Sequence, residues 1–196
     1  MKGNSYMSTN EWYTRPVYIE AARKVMGTIE LDPASCAAAN AIVKAERYFT
    51  KEQNGLLQHW CARSLWLNPP YGRSAKMQGH HLSTIKLFVD KCLDAYTCGD
   101  VEQAIILATT EVNAKWFYPL WQYPLCIPDH RVNFIVPEQQ KNKYSQMFGT
   151  CFAYLGPNMD TFVEVFSEFG RIVQAIDTPK PRPTIHTLWA GSEVVA

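Results

Sequence analysis

The chain has 196 residues, 47% of them hydrophobic and 13% aromatic, which suits one domain with a real core and is too short for two ordinary domains. Charged residues make up 19%, below the roughly 25% typical of soluble domains, which favours a compact enzyme over a disordered adaptor. With a net charge of +1, the protein as a whole has no strong positive electrostatic field that would attract nucleic acid. Any basic surface must be local and act through a few phosphate contacts.

Metal, redox and membrane functions find little support in the sequence. The six cysteines form neither a CxxC pair nor a zinc-like cluster, so we expect reduced thiols that behave as small buried hydrophobes. The histidine pair His80-His81 has no further ligand at metal spacing, and no metal site is expected. Without a leader or a long apolar stretch, we expect a cytoplasmic protein with loose residues 1–10.

Helices and strands are predicted to alternate along the chain. A helix begins at Pro16 and ends at Gly27, the usual placement of proline and glycine at helix ends. The pattern then predicts a strand at 28–31, a helix at 36–45, strands at 63–67 and 103–108 around a helix at 81–96, a helix at 113–121, strands at 131–136 and 150–155, a helix at 159–169 and a strand at 171–176. The fold class is therefore α/β, with a mainly parallel, doubly wound sheet in one minimal domain, 11–176, before a Pro-rich peripheral tail, 177–196.

Two predicted strands end in unusual segments, Asp32-Pro33 and Asn68-Pro69-Pro70-Tyr71. Ligands of open α/β sheets bind beyond the carboxyl ends of the strands, at a switch point in strand order. A residue before proline is held extended, and proline has no N–H. The second segment therefore offers two acceptors, the Asn68 side-chain oxygen and the Pro69 carbonyl, beside the aromatic ring of Tyr71.

This arrangement suits a planar amino group on a ring, such as N6 of adenine. Two acceptors draw the nitrogen toward tetrahedral geometry and free its lone pair to attack a methyl donor, so positioning and electrostatics dominate over general-base chemistry. The base would have to leave the duplex, at a few kcal/mol. Stacking on Tyr71 would return about 1–3 kcal/mol.

The chain resembles the phage and prophage DNA N6-adenine methyltransferases. The resemblance lies in EWYTRPVYIEAARKVMG, IELDPAS, NAIVKAERYFTKEQNGL and LWLNPPYG, and continues through NAKWFYPLW, RVNF and FAYLGPNMDTFVEVF, from about residue 11 to residue 173. It implies a Rossmann-like class I methyltransferase fold, S-adenosyl-L-methionine as cofactor, double-stranded DNA as partner and a place in the cytoplasm of a bacterial host.

The resemblance also assigns roles to individual residues. Asn68, Pro69, Pro70 and Tyr71 take the catalytic positions, and Asn68 also borders the cofactor. The other expected cofactor-binding residues are Trp12, Tyr13 and Thr14, which close over the cofactor, Asp32, Pro33, Ala34 and Ser35 at its methionine end, and Asn54 at its adenine. Small non-glycine residues replace the Gly-rich DPFxGSG loop of larger relatives, and Asn54-Gly55-Leu56 stands where Asp-Gly-Leu is expected. Trp12 can also be read as a core aromatic.

Two polar loops are candidates for DNA contact. Arg73 and Lys76 lie in 73–81, and Lys141 and Lys143 lie in 137–149. Each loop can equally be a solvated surface. With only about 35 residues between Asp32 and Asn68 there is no room for a target-recognition domain, so short loops must read the sequence.

Other functions remain open. The NPPY segment also serves enzymes that methylate a protein glutamine amide or a guanine amino group in ribosomal RNA. A catalytically inactive DNA- or cofactor-binding module is a further alternative. Target sequence and oligomeric state are not predicted.

Overall fold

A computed structural model of the chain describes residues 12–71, 73–77, 80–135 and 149–176. The helices are α1 (Pro16–Met26), α2 (Ala37–Val43), α3 (Thr84–Thr97) and α4 (Met159–Phe166), with short 3-10 helices at Gly55–Leu57 and Tyr118–Gln122. The strands are β1 (Leu31–Asp32), β2 (Arg47–Tyr48), β3 (Leu65–Leu67), β4 (Arg73–Met77), β5 (His80–Ser83), β6 (Ala104–Thr109), β7 (Leu125–Pro128), β8 (Thr150–Leu155) and β9 (Gly170–Val173).

Local sequence signals account for the helix ends beside the site. Helix α1 has proline in its first turn and ends at Gly27, whose φ of 82° suits glycine and whose N–H bonds to the Arg23 carbonyl at 2.7 Å. Helix α2 begins after Cys36, whose sulfur accepts the Ala39 N–H, and ends at Lys44 in the left-handed region. These ends fix the chain on both sides of β1.

Seven strands form one mixed sheet in the order β2-β1-β3-β6-β8-β7-β9, and β4 and β5 form a separate antiparallel hairpin. The pairs β1–β2, β1–β3 and β3–β6 are parallel, whereas β6–β8, β7–β8 and β7–β9 are antiparallel. The α/β class is confirmed and is compatible with a Rossmann-like fold. The expected parallel arrangement holds for β2, β1, β3 and β6, and the other half of the sheet is antiparallel.

Apolar residues bury both faces of the sheet. One core cluster joins α3 to Leu65, Leu67 and Ile106, and the other joins α1 and α4 to Trp66 and Ile105. Alternate residues of β3 and β6 thus serve opposite faces, as the pleat requires. Every residue of β3, β6 and β8 is buried, which is typical of strands covered on both sides.

Several predicted elements differ from the observed ones. The helix at 113–121 is wrong, because turns and the 3-10 helix Tyr118–Gln122 replace it, with Pro119 inside the latter. The strand at 131–136 is also wrong: up to 135 the structure has only an isolated bridge at Ile135, and the strand lies earlier, at Leu125–Pro128. Residues 73–77 and 80–83, expected to belong to a loop running into a helix, are the paired strands β4 and β5.

The remaining expectations on organisation are met in part. Within the described ranges, no helix combines the length and apolar character needed to cross a membrane. Cys92, Cys126 and Cys151 are buried free thiols as predicted, but Cys61 and Cys98 are exposed and Cys36 is half-buried. The predicted loose segment 1–10 and the tail 177–196 lie outside the described residues.

Candidate active site

The two unusual strand ends lie side by side. Strands β1 and β3 are parallel neighbours with Leu31 opposite Leu65, so Asp32 and Asn68 emerge at the same edge of the sheet. The chain passes from β1 to β2 on one side and then to β3 on the other, which makes the β1–β3 boundary a switch point in strand order. This is the position at which the sequence predicts a ligand.

A cavity of about 770 Å³ opens at this edge. Every residue predicted to be catalytic or to bind cofactor lines it: Trp12, Tyr13, Thr14, Asp32, Pro33, Ala34, Ser35, Asn54, Asn68, Pro69, Pro70 and Tyr71. Its wall also includes residues that were not predicted, among them Cys36, Phe49, Thr50, Lys51, Glu52, Trp66, Thr84 and Phe88. The structure thus brings together four separate parts of the chain, 12–14, 32–56, 66–71 and 84–88.

Half of the residues missed by sequence reasoning follow β2. That strand has two residues, Arg47 and Tyr48, too few for an alternating pattern. Its end places Phe49 and the polar residues after it at the cavity, next to β1. The available signal was the continuous similarity of NAIVKAERYFTKEQNGL to the resembled family, which covers this turn.

The Asn68 side chain is held from two directions. Its Nδ2 donates to the Trp12 carbonyl at 2.9 Å and to Thr14 Oγ1 at 3.4 Å. Its Oδ1 accepts the Tyr71 hydroxyl at 3.3 Å. Asn68 and Tyr71 are half-buried, and burial, aided by Cys151, raises the pKa of the Tyr71 phenol well above its ordinary value. Tyr71 therefore stays a neutral hydrogen-bond donor at physiological pH.

Asp32 is a buried carboxyl, only 3% exposed. Burial raises its pKa from 3.8 to about 6, against the opposing effects of the Ala34 N–H and the Ser35 hydroxyl. The Ala34 N–H donates to Asp32 Oδ1 at 3.2 Å. The Ser35 hydroxyl lies near but makes no hydrogen bond of regular geometry to any described residue. A cationic ligand in the cavity would therefore favour the ionised form of this group.

Tight backbone packing forms the cavity floor. A Cβ on Gly55 would stand 1.9 Å from the Pro33 carbonyl oxygen, so only glycine allows the 3-10 turn to lie against the end of β1. The Trp60 indole donates to the Gly55 carbonyl at 2.8 Å. Asn54 precedes this turn with φ of 50°, and its side-chain oxygen caps the turn by accepting the Leu56 N–H at 3.2 Å.

The predicted DNA-contacting residues are placed only in part. Arg73 and Lys76 belong to β4, which begins shortly after Tyr71, so the hairpin follows the NPPY segment along the chain. Lys141 and Lys143 lie outside the described residues. Over the described ranges, no three His, Cys, Asp or Glu residues come close enough to hold a metal ion.

Comparison with known families gives one match, which covers most of the chain. The model of the family described as DNA N-6-adenine-methyltransferase (Dam) matches residues 5–167. The chain belongs to the Dam family. This match spans α1, the cavity, the hairpin and α4, and the predicted resemblance is confirmed. Searches of curated proteins and of solved structures each found no match.

Membership of the Dam family implies an enzyme that methylates DNA on N6 of adenine. The matched range includes Asp32 and the NPPY segment together with the residues that join them in one cavity.

Proposed function

We propose that the protein transfers a methyl group from S-adenosyl-L-methionine to N6 of an adenine flipped out of double-stranded DNA. The observation that carries the proposal is the single cavity shared by Asp32, at the end of β1, and the NPPY segment, at the end of β3. One space can thus hold a methyl donor against a planar amino group. A DNA substrate also fits a bacterial cytoplasmic location.

The cavity fits the cofactor by its chemistry. The Ser35 hydroxyl and the Trp66 indole N–H are buried and have no hydrogen-bond partner among the described residues, and both residues line the cavity. Unpaired buried polar atoms are destabilising, so a polar ligand is expected to satisfy them. Asp32 and Ser35 would hold the methionine end and Asn54 would lie near the adenine, and the cofactor when bound supplies a methyl group on a positively charged sulfur.

The NPPY segment orients the target nitrogen. Pro69 and Pro70 have no N–H, so this stretch presents acceptors without backbone donors of its own. The adenine amino group replaces the Tyr71 hydroxyl as the donor to Asn68 Oδ1, and its second N–H goes to the Pro69 carbonyl. No side chain has to remove a proton before attack, because the nitrogen becomes acidic only once it is methylated.

Tyr71 and the β4–β5 hairpin supply the interactions that bind the flipped base and the DNA around it. The Tyr71 ring forms a platform on which a flipped base stacks, worth about 1–3 kcal/mol and comparable with the few kcal/mol that flipping costs. The β4–β5 hairpin, which carries Arg73 and Lys76, follows this platform along the chain and contacts the DNA flanking the target.

Expression in a bacterial host that lacks adenine methylation tests the proposal. Long-read sequencing should then find N6-methyladenine at a recurring short sequence in cells with the wild-type protein and far less of it with Asn68→Ala. Purified protein should transfer labelled methyl from S-adenosylmethionine to duplex DNA. Transfer to RNA or to a protein glutamine instead, or binding of DNA and cofactor without transfer, would support the alternative functions and contradict this one.

A further inference from the structure

The side-chain amide of Asn68 can present either of two opposite chemistries to the cavity. Its oxygen accepts hydrogen bonds and its nitrogen donates them, while the two ends are nearly the same size. An adenine amino group only donates here, so the proposed reaction requires the oxygen to face the substrate. Rotation by half a turn would place donor against donor.

The segment before α1 selects between these two orientations. The Trp12 carbonyl is an obligate acceptor and lies 2.9 Å from Asn68 Nδ2. Were the amide rotated, two oxygens would face each other at that distance. Thr14 Oγ1 takes the second Asn68 N–H at 3.4 Å, so both donors point away from the oxygen that meets Tyr71.

Thr14 is held firmly enough for this task. It is only 3% exposed, and α1 begins two residues later with Pro16 in its first turn. On its other side, Tyr13 and Ile135 exchange two backbone hydrogen bonds, of 3.0 and 2.8 Å. The hydroxyl therefore approaches Asn68 from a chain segment fixed at both ends.

We propose that Thr14 is a positioning residue of the methyl-transfer step, acting through Asn68 rather than on the cofactor. The inference rests on the proposed function. Its hydroxyl accepts one Asn68 N–H and, with the Trp12 carbonyl, keeps the Asn68 oxygen turned toward the substrate. The polar residue is required because an apolar one would leave a half-buried N–H without a partner.

Thr14→Val and Thr14→Ser form a matched pair that tests this role. Valine keeps the shape without the acceptor, and serine keeps the acceptor. The single-turnover rate at saturating DNA and cofactor should fall about 5- to 20-fold in Thr14→Val, the range of one lost hydrogen bond, and should recover to within about 2-fold of wild type in Thr14→Ser. Affinity for S-adenosylhomocysteine, measured by calorimetry, should fall by much less than the rate does in Thr14→Val.

A second measurement is independent of activity. The side-chain NH2 signal of Asn68, assigned by its loss in Asn68→Ala, should show faster hydrogen exchange in Thr14→Val than in wild type or Thr14→Ser. If Thr14→Val does not fold, Thr14→Cys replaces it, because a thiol is a weak acceptor. A wild-type protein that methylates no DNA would refute the proposed function, whereas this signal would still report on Thr14.

Three results would overturn the inference. The first is a Thr14→Val rate equal to that of wild type. The second is a Thr14→Ser variant as slow as Thr14→Val, which would make packing the cause. The third is a loss of S-adenosylhomocysteine affinity that matches the loss of rate, which would make Thr14 a cofactor contact.

Discussion

Replacing Asp32 with asparagine should change how the stability of the protein depends on pH. Burial raises the pKa of Asp32 from 3.8 to about 6 in the folded state. A shift of about 2 pH units corresponds to about 3 kcal/mol. Because the folded-state pKa is raised, the contribution of Asp32 to the free energy of unfolding is fully present below about pH 4 and is lost as the pH rises through about 6.

Asparagine keeps an acceptor for the Ala34 N–H and has no charge to bury. The free energy of unfolding of Asp32→Asn minus that of wild type should therefore rise by about 3 kcal/mol between about pH 4 and about pH 7.5. Urea unfolding of both proteins across this range measures the difference, which removes the contribution of groups common to both.

Glu30→Gln is the matched control, because its pKa is shifted in the opposite direction. The Arg63 backbone N–H, and then the Arg63 side chain, lower the pKa of Glu30. The contribution of Glu30 to the free energy of unfolding is therefore present at neutral pH and is lost on acidification. The difference for Glu30→Gln should accordingly fall as the pH rises. A difference for Asp32→Asn that is flat across the range would refute the reasoning, since an ionised Asp32 would then be well solvated or paired.

Four further predictions concern the cavity and the DNA. Asn68→Ala should lower kcat by about 10²–10³ with little change in DNA affinity. Tyr71→Phe should keep much of the activity because it keeps the ring. Equal inactivity of Tyr71→Phe and Tyr71→Ala in a methylation assay would contradict the role given to the ring. Gly55→Ala should weaken S-adenosylhomocysteine binding and lower the melting temperature, because its new methyl group meets the Pro33 carbonyl at the end of β1. An unchanged affinity in calorimetry would show that the backbone here shifts at little cost. Lys141→Ala with Lys143→Ala should reduce the salt dependence of DNA binding by a slope of about one per phosphate contact, and an unchanged slope would make that loop a solvated surface.

Local sequence signals correctly predicted the helices and strands whose ends are marked by nearby residues. Helix α1 lies between its proline and Gly27 as expected, and β8 has the predicted bounds at Thr150–Leu155. The ends of β1 and β3 were located because each carries a proline step after buried residues. These features depend on residues close together in sequence, so a single sequence reveals them.

The missed elements depend on tertiary pairing instead. Strand β7 ends in a proline and is a strand because it pairs with β8 on one side and β9 on the other. The hairpin after Tyr71 has no apolar alternation that would predict it. At the site, half of the residues that line the cavity were predicted. The hydrogen bond between Tyr71 and Asn68 was not, since side-chain orientation follows from packing that no local pattern records.

The bridge between Tyr13 and Ile135 also bears on the order in which the molecule is built. The carbonyl that orients Asn68 belongs to an early segment of the chain, yet that segment pairs with a residue synthesised much later. During translation the first helix and β3 can emerge well before Ile135 does. We therefore expect the Asn68 amide to reach its final orientation late in synthesis, after Ile135 has paired with Tyr13, even when β1, β2, β3 and β6 have already formed.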